Sequence, residues 1–158
     1  SGGVRGPVTI QTAVSVAPID STSMQITKSV NSVTADKKSS DTMGMKHRVD
    51  FGVYKFCGSI NVQLAEKTGF SEEDAEKIKK ALETLFENDC SAARPDGSME
   101  IVRVYWWKHN CKSGQYPSAK VHRSVSVKCM GEDGKHLEDY QIEYKPLDNL
   151  DVEIYDGI

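Results

Sequence analysis

The feature that most constrains this chain is a change of hydrophobic period inside one stretch, residues 46–86, KHRVDFGVYKFCGSINVQLAEKTGFSEEDAEKIKKALETLF. Val49, Phe51 and Val53 alternate with Asp50, Gly52 and Tyr54, and after Gly58 the apolar set becomes Ile60, Val62 and Leu64. Alternation of period two describes a strand with one face on a core. The shift from odd to even positions predicts a bulge or bend near Gly52 or Gly58. Lys67-Thr68-Gly69 reads as a turn. Beyond it Ser71 is a good N-cap, Asp74 stands three residues on, and Glu72, Glu73 and Asp74 put negative charge on the positive end of a helix. Ala75, Ile78, Ala81, Leu82, Leu85 and Phe86 then form an apolar stripe, opposite Glu76, Lys77, Lys79, Lys80, Glu83 and Glu87. The spacing predicts a helix lying on the sheet that its own strand enters. This unit is scaffold, and function must be sought elsewhere.

A chain of 158 residues is one domain by the usual expectation, long enough to bury a core. No apolar run approaches the ~20 residues that cross a bilayer, and no charged-then-apolar leader opens the sequence. The first residues, Ser-Gly-Gly without Met, read as a fragment boundary. Cys57, Cys90, Cys111 and Cys129 lie far apart, which suits a reducing cytoplasmic compartment. The net charge is −3, but it is uneven: residues 1–60 hold seven Lys/Arg against four Asp, and the other 98 hold 13 basic against 19 acidic residues. A polyanion is therefore expected to meet the N-terminal third.

Pro7 to Ala17 alternates as a half-buried strand closed by Pro18. Residues 19–45, IDSTSMQITKSVNSVTADKKSSDTMGM, are rich in Ser, Thr, Lys and Asp, with isolated Met24, Ile26, Val30, Val33, Met43 and Met45. The stretch is too long for an ordinary connection, so it reads either as a flexible surface loop or as a protruding hairpin that binds something. After the helix, Pro95-Asp96-Gly97 makes a turn, and Met99 to Trp107 reads as a central strand with β formers on both faces. Ala119 to Met130 reads as a strand with Val121, Val125, Val127 and Cys129 inward; Gly131 to Gly134 is a turn, and short strands follow at Tyr140–Tyr144 and Val152–Tyr155. The order is that of an α+β fold with one face of an antiparallel sheet covered, a partial ferredoxin-like arrangement.

Cys90, His109, Cys111 and Cys129 are zinc-ligand types without zinc spacing, so no metal or cofactor is expected. His109 and Cys111 lack a third group to orient them for nucleophilic catalysis. Gly2-Gly3-Val4-Arg5-Gly6 precedes a strand, the wrong side for a phosphate loop. Lys46-His47-Arg48 follows Met43 and Met45. The cations suit phosphate and the thioethers suit an unstacked base, while the same charges also suit a strand edge guarded against aggregation. A group of Lys46, His47 and Tyr54 could also support metal-free RNA cleavage by acid–base chemistry.

These residues give the chain a resemblance. It is similar to the repeated RNA-binding backbone subunit of the type I-C Cascade-like CRISPR surveillance complex, within the RAMP superfamily. The matching words are Gly3 to Val8, Thr42 to His47, Val49 to Tyr54, Thr68 to Asp74, Ser91 to Arg94 and Trp107 to His109, in order over almost the whole chain. The resemblance implies a modified RRM-like core with a thumb hairpin at 19–45, stacked in copies along a guide RNA (crRNA). It also implies an N-terminal segment, carrying a first strand and helix, that this sequence lacks. The RNA-binding candidates are Arg5, Lys28, Lys37, Lys38, Met43, Met45, Lys46, His47 and Arg48, with no catalytic residue. Expected partners are crRNA, target nucleic acid, neighbouring copies and other CRISPR-associated subunits. Two alternatives stand beside this: an RNA endonuclease in which Asp36 or Asp41 carries the chemistry by position, and a protein–protein module with little RNA affinity.

Overall fold

The computed structural model describes residues 2–28 and 42–158. In chain order the elements are β1 (Val8–Ile10), β2 (Val14–Ser15), β3 (Ser21–Lys28), β4 (Thr42–Val49), β5 (Tyr54–Lys55), β6 (Gly58–Ile60), α1 (Val62–Thr68), α2 (Glu72–Glu83), β7 (Arg103–Lys108), α3 (Ser118–Arg123), β8 (Val125–Cys129), β9 (Tyr140–Tyr144) and β10 (Asp151–Asp156). This is a mixed α/β architecture. Among the described residues the strands pair only two by two: β1 with β6, β2 with β5, β3 with β4, β7 with β10 and β8 with β9. The single half-covered sheet expected from sequence is therefore present as short antiparallel ribbons rather than as one surface.

The chain divides into two compact units, one of residues 1–12, 57–125 and 144–158 and the other of residues 13–56 and 126–143. In the first, α2 begins as the sequence predicts. Ser71 Oγ accepts from the Asp74 N–H and the Asp74 carboxylate accepts from the Ser71 N–H, a reciprocal cap. The helix does not lie on its own preceding strand. It packs on the β7–β10 ribbon, where Tyr155 Oη donates to the Lys79 carbonyl at 3.2 Å and Lys79 Nζ reaches Glu153 at 2.7 Å. Lys79 thus belongs to the buried side, and Leu85, expected in the stripe, is exposed beyond the end of the helix. β7 is one strand of a two-stranded ribbon, not a central strand, because its partner β10 runs antiparallel in full register from Asp151↔Lys108 to Asp156↔Arg103.

Two expected strand segments are helical. Val62 and Leu64 lie in α1, capped by Asn61 Oδ1 accepting from the Leu64 N–H and closed at Gly69, whose φ of 73° a side chain would strain. Ala119 to Arg123 lies in α3, so His122 does not face outward but bonds the Gly58 carbonyl through Nε2 at 3.1 Å. Val121 and Val125 are still both buried, though the first lies in α3 and the second opens β8. Ala65, Val121, Val125 and Leu150 are the buried apolar residues among those described, all in this unit. The core is shallow.

The second unit carries the β3–β4 hairpin. Its packed part joins Phe51 to Tyr140, ring centroids 6.2 Å apart, and ties Tyr140 Oη to the Gly134 carbonyl at 2.8 Å. Gly134 sits at a φ of 62°, and a Cβ there would lie 3.0 Å from Tyr140 Oη and 3.1 Å from Cys129 Sγ, so the turn needs glycine on both counts. The backbone bond from the Met130 N–H to the Asp139 carbonyl closes one end of the β8–β9 pairing.

Candidate nucleic-acid interface

The long polar excursion contains a ladder. β3 and β4 pair antiparallel over eight positions, from Ser21↔Val49 through Thr22↔Arg48, Ser23↔His47, Met24↔Lys46, Gln25↔Met45, Ile26↔Gly44 and Thr27↔Met43 to Lys28↔Thr42. What forms it is backbone pairing and β-branched Thr and Ile, not burial. Thr22 is half-buried, and Ser23 to Thr27 and Met43 to Val49 are exposed.

Residues directly opposite one another share a face and successive residues alternate, so the register sorts the candidates. Met43, Met45 and His47 stand on one face with Ser23, Gln25 and Thr27. Lys46 and Arg48 stand on the other with Thr22, Met24 and Ile26. On the first face Ser23 Oγ and His47 Nδ1 are 2.8 Å apart, and Gln25 Nε2 donates to Met43 Sδ at 3.7 Å. The thioethers there are open to solvent, Met43 at 63% and Met45 at 60% exposure. On the second face Arg48 Nε donates to Asp50 Oδ1 at 2.8 Å, and Thr22 Oγ1 donates to the other carboxylate oxygen. The Thr22 hydroxyl, then the Arg48 guanidinium, hold the Asp50 carboxyl below its ordinary range.

The two faces are chemically different. One offers thioether, amide, hydroxyl and imidazole, all adaptable and without fixed charge when His47 is neutral. The other offers two cations beside exposed Met24 and Ile26. Cations and thioethers were expected side by side; the pleat separates them. It separates Lys46 from His47 as well, placing these two members of the suggested acid–base group on opposite faces of the ribbon. Arg5 lies in the extended segment before β1, in the other unit, and Lys28 ends β3. Lys37, Lys38, Asp36 and Asp41 lie outside the described residues. Asp50 and Thr22 escaped the sequence reading. The spacing Arg48-x-Asp50 carried the signal, since a carboxylate two residues from a guanidinium lies within its reach.

Among the described residues no group of three or more His, Cys, Asp or Glu is placed to hold a metal ion, and no helix is long and apolar enough to cross a membrane. The four cysteines are free thiols.

The profile of the family CRISPR-associated protein Cas7 matches residues 1–145. The chain belongs to the Cas7 family. Membership points to a crRNA-binding backbone subunit of a CRISPR complex, a class whose members are generally structural rather than enzymatic. No curated protein matches the chain significantly.

Proposed function

We propose that this Cas7-family chain is a non-catalytic guide-RNA-binding subunit that assembles in copies along crRNA and uses the β3–β4 hairpin as its thumb. The observation that supports this is an eight-pair ribbon with nearly all its side chains in water and apolar groups on both faces. Such a surface gains burial only when something lies against it. Met43 and Met45 suit an unstacked base, and Lys46 and Arg48 suit backbone phosphates on the opposite face. His47, Lys28, Lys37, Lys38 and Arg5 are the further candidates for RNA contact. The partners are crRNA, target nucleic acid paired to it, neighbouring copies and other CRISPR-associated subunits. The type I-C assignment and an RRM-like core rest on the sequence words Gly3 to His109.

Binding of a labelled single-stranded RNA, followed across a salt series in the full-length protein, tests the reading. Lys46→Ala should weaken binding and flatten the salt dependence by about 0.7 unit, one phosphate contact to a single strand. Met43→Ala with Met45→Ala should weaken binding and leave the slope unchanged. An unchanged slope for Lys46→Ala overturns the phosphate role of this face. Cleavage of the RNA, with or without Mg²⁺, overturns the non-catalytic role.

A further inference from the structure

Asp50 holds the Arg48 guanidinium at 2.8 Å. We infer that it is an internal competitor for Arg48, a carboxylate that occupies the guanidinium in the free protein and must be displaced by an RNA phosphate. The inference rests on the reading of the β3–β4 hairpin as an RNA-binding thumb and names the residue that regulates its charged face.

Three facts carry it. Arg48 donates through Nε to Asp50 at 2.8 Å, with both side chains more than half exposed, so the pair forms in water and an incoming anion can reach it. An exposed pair of this kind is weakly held, so exchange is inexpensive. Asp50 also keeps company when Arg48 leaves, because the Thr22 hydroxyl bonds its other oxygen. Releasing Arg48 therefore does not strand the carboxylate.

The consequence is selectivity. A lone phosphate meets Arg48 already neutralised and gains little by exchanging one anion for another. A continuous strand also meets Lys46, one cross-strand pair along on the same face, and the second contact carries the exchange. In the wild type the Arg48 contact then releases few counterions from the RNA, because the Asp50 carboxylate left beside it offsets its charge at the phosphate.

The test is a double-mutant cycle on binding of a labelled single-stranded RNA across a salt series, using wild type, Arg48→Ala, Asp50→Asn and the double variant. Asp50→Asn should tighten binding about two- to fivefold and steepen the salt slope, the size expected of an exposed pair. Arg48→Ala should change the slope by much less than 0.7 unit in the wild type and by about 0.7 unit in the Asp50→Asn background. Thr22→Val, which removes the bond that keeps Asp50 satisfied once Arg48 leaves, should weaken binding slightly, opposite in direction to Asp50→Asn. An equal effect of Arg48→Ala in both backgrounds overturns the competition while leaving the thumb in place. No effect of Arg48→Ala, Asp50→Asn or Lys46→Ala overturns both.

Discussion

Lys79 Nζ lies 5.4 Å from the centroid of the Trp106 ring and 2.7 Å from Glu153 Oε2, with only 14% of its side chain exposed. A lysine on the polar side of the helical pattern thus holds α2 to the β7–β10 ribbon. Its stem covers the indole and its charge is shared between Glu76, Glu153 and the ring face. Lys79→Ala should cost about 1–2 kcal/mol in urea melts. Lys80→Ala, one residue on and well exposed, should stay within about 0.5 kcal/mol. Equal losses would place the helix on its ribbon by a different face.

The same contact sets the response to alkali. Hydrogen bonds that Lys79 donates to Glu153 and then Glu76 raise its pKa, and burial pushes Tyr155 up to about 12. Both groups hold their proton more tightly in the folded state. The stability they contribute is complete below their ordinary values near 10 and is lost as pH rises through the folded ones. Thermal melts should therefore fall in midpoint between about pH 10 and 12. Tyr155→Phe should be less stable at neutral pH, having lost the hydroxyl bond to the Lys79 carbonyl, and should show a shallower alkaline decline. An identical alkaline decline in Tyr155→Phe would remove Tyr155 from the account.

At acid pH the reciprocal cap of α2 dominates. The Ser71 N–H, then its hydroxyl, hold the Asp74 carboxyl below its ordinary value. A lowered carboxyl contributes stability above the unfolded value, about 3.9, and loses it as pH falls through the folded one. Ser71→Ala should cost about 1 kcal/mol near neutrality. Asp74→Asn should be less stable than wild type at neutral pH and converge with it as pH falls below about 4. Parallel pH profiles would show that the cap does not titrate as described.

Legibility in the sequence followed the range of the interactions. The cap of α2 is written within four residues, and the turn at Pro95 to Gly97 within three; there the Ser98 N–H returns to the Pro95 carbonyl. β9 and β10 were also legible, from the short alternating stretches Tyr140–Tyr144 and Val152–Tyr155. α1 and α3 were not. Ile60, Val62 and Leu64 alternate on paper, yet Asn61 caps at Leu64 and Gly69 closes the turn, and these local bonds outweigh a three-member alternation. In α3, Pro117 stands at the N-cap and Ser118 opens the first turn, a start signal masked by valines that fit either period. Trp106 and Trp107 marked a buried strand but not its neighbours, since a ribbon covered by a helix and a central strand ask for the same residues. At the interface, the basic cluster was visible as composition, while its division between two faces depends on a register that only the pairing with β3 fixes.

That register also changes what should be expected of the hairpin's motions. From composition, Ser21 to Thr42 should exchange its amides at nearly free-chain rates, because so little apolar surface offsets the ~1–2 kcal/mol per residue of ordering the backbone. The structure supplies Ser21–Lys28 with a full ladder to Thr42–Val49, yet among the described side chains, those of 21–27 and 43–49, none is buried. A two-stranded ribbon held by its backbone alone is marginal in water. Hydrogen exchange of the free protein should therefore show Ser21–Lys28 slower than free chain but faster than the β7–β10 ribbon, which has α2 on one face and the stacked Tyr105 and Trp107 rings. On addition of RNA, protection should rise in β3 and β4 and stay constant in β7 and β10. Protection in β3 already equal to that of β7 without RNA would mean the hairpin is packed in the free protein. Protection unchanged by bound RNA would mean that the exposed methionines meet no partner and that the ribbon is only a connection between strands.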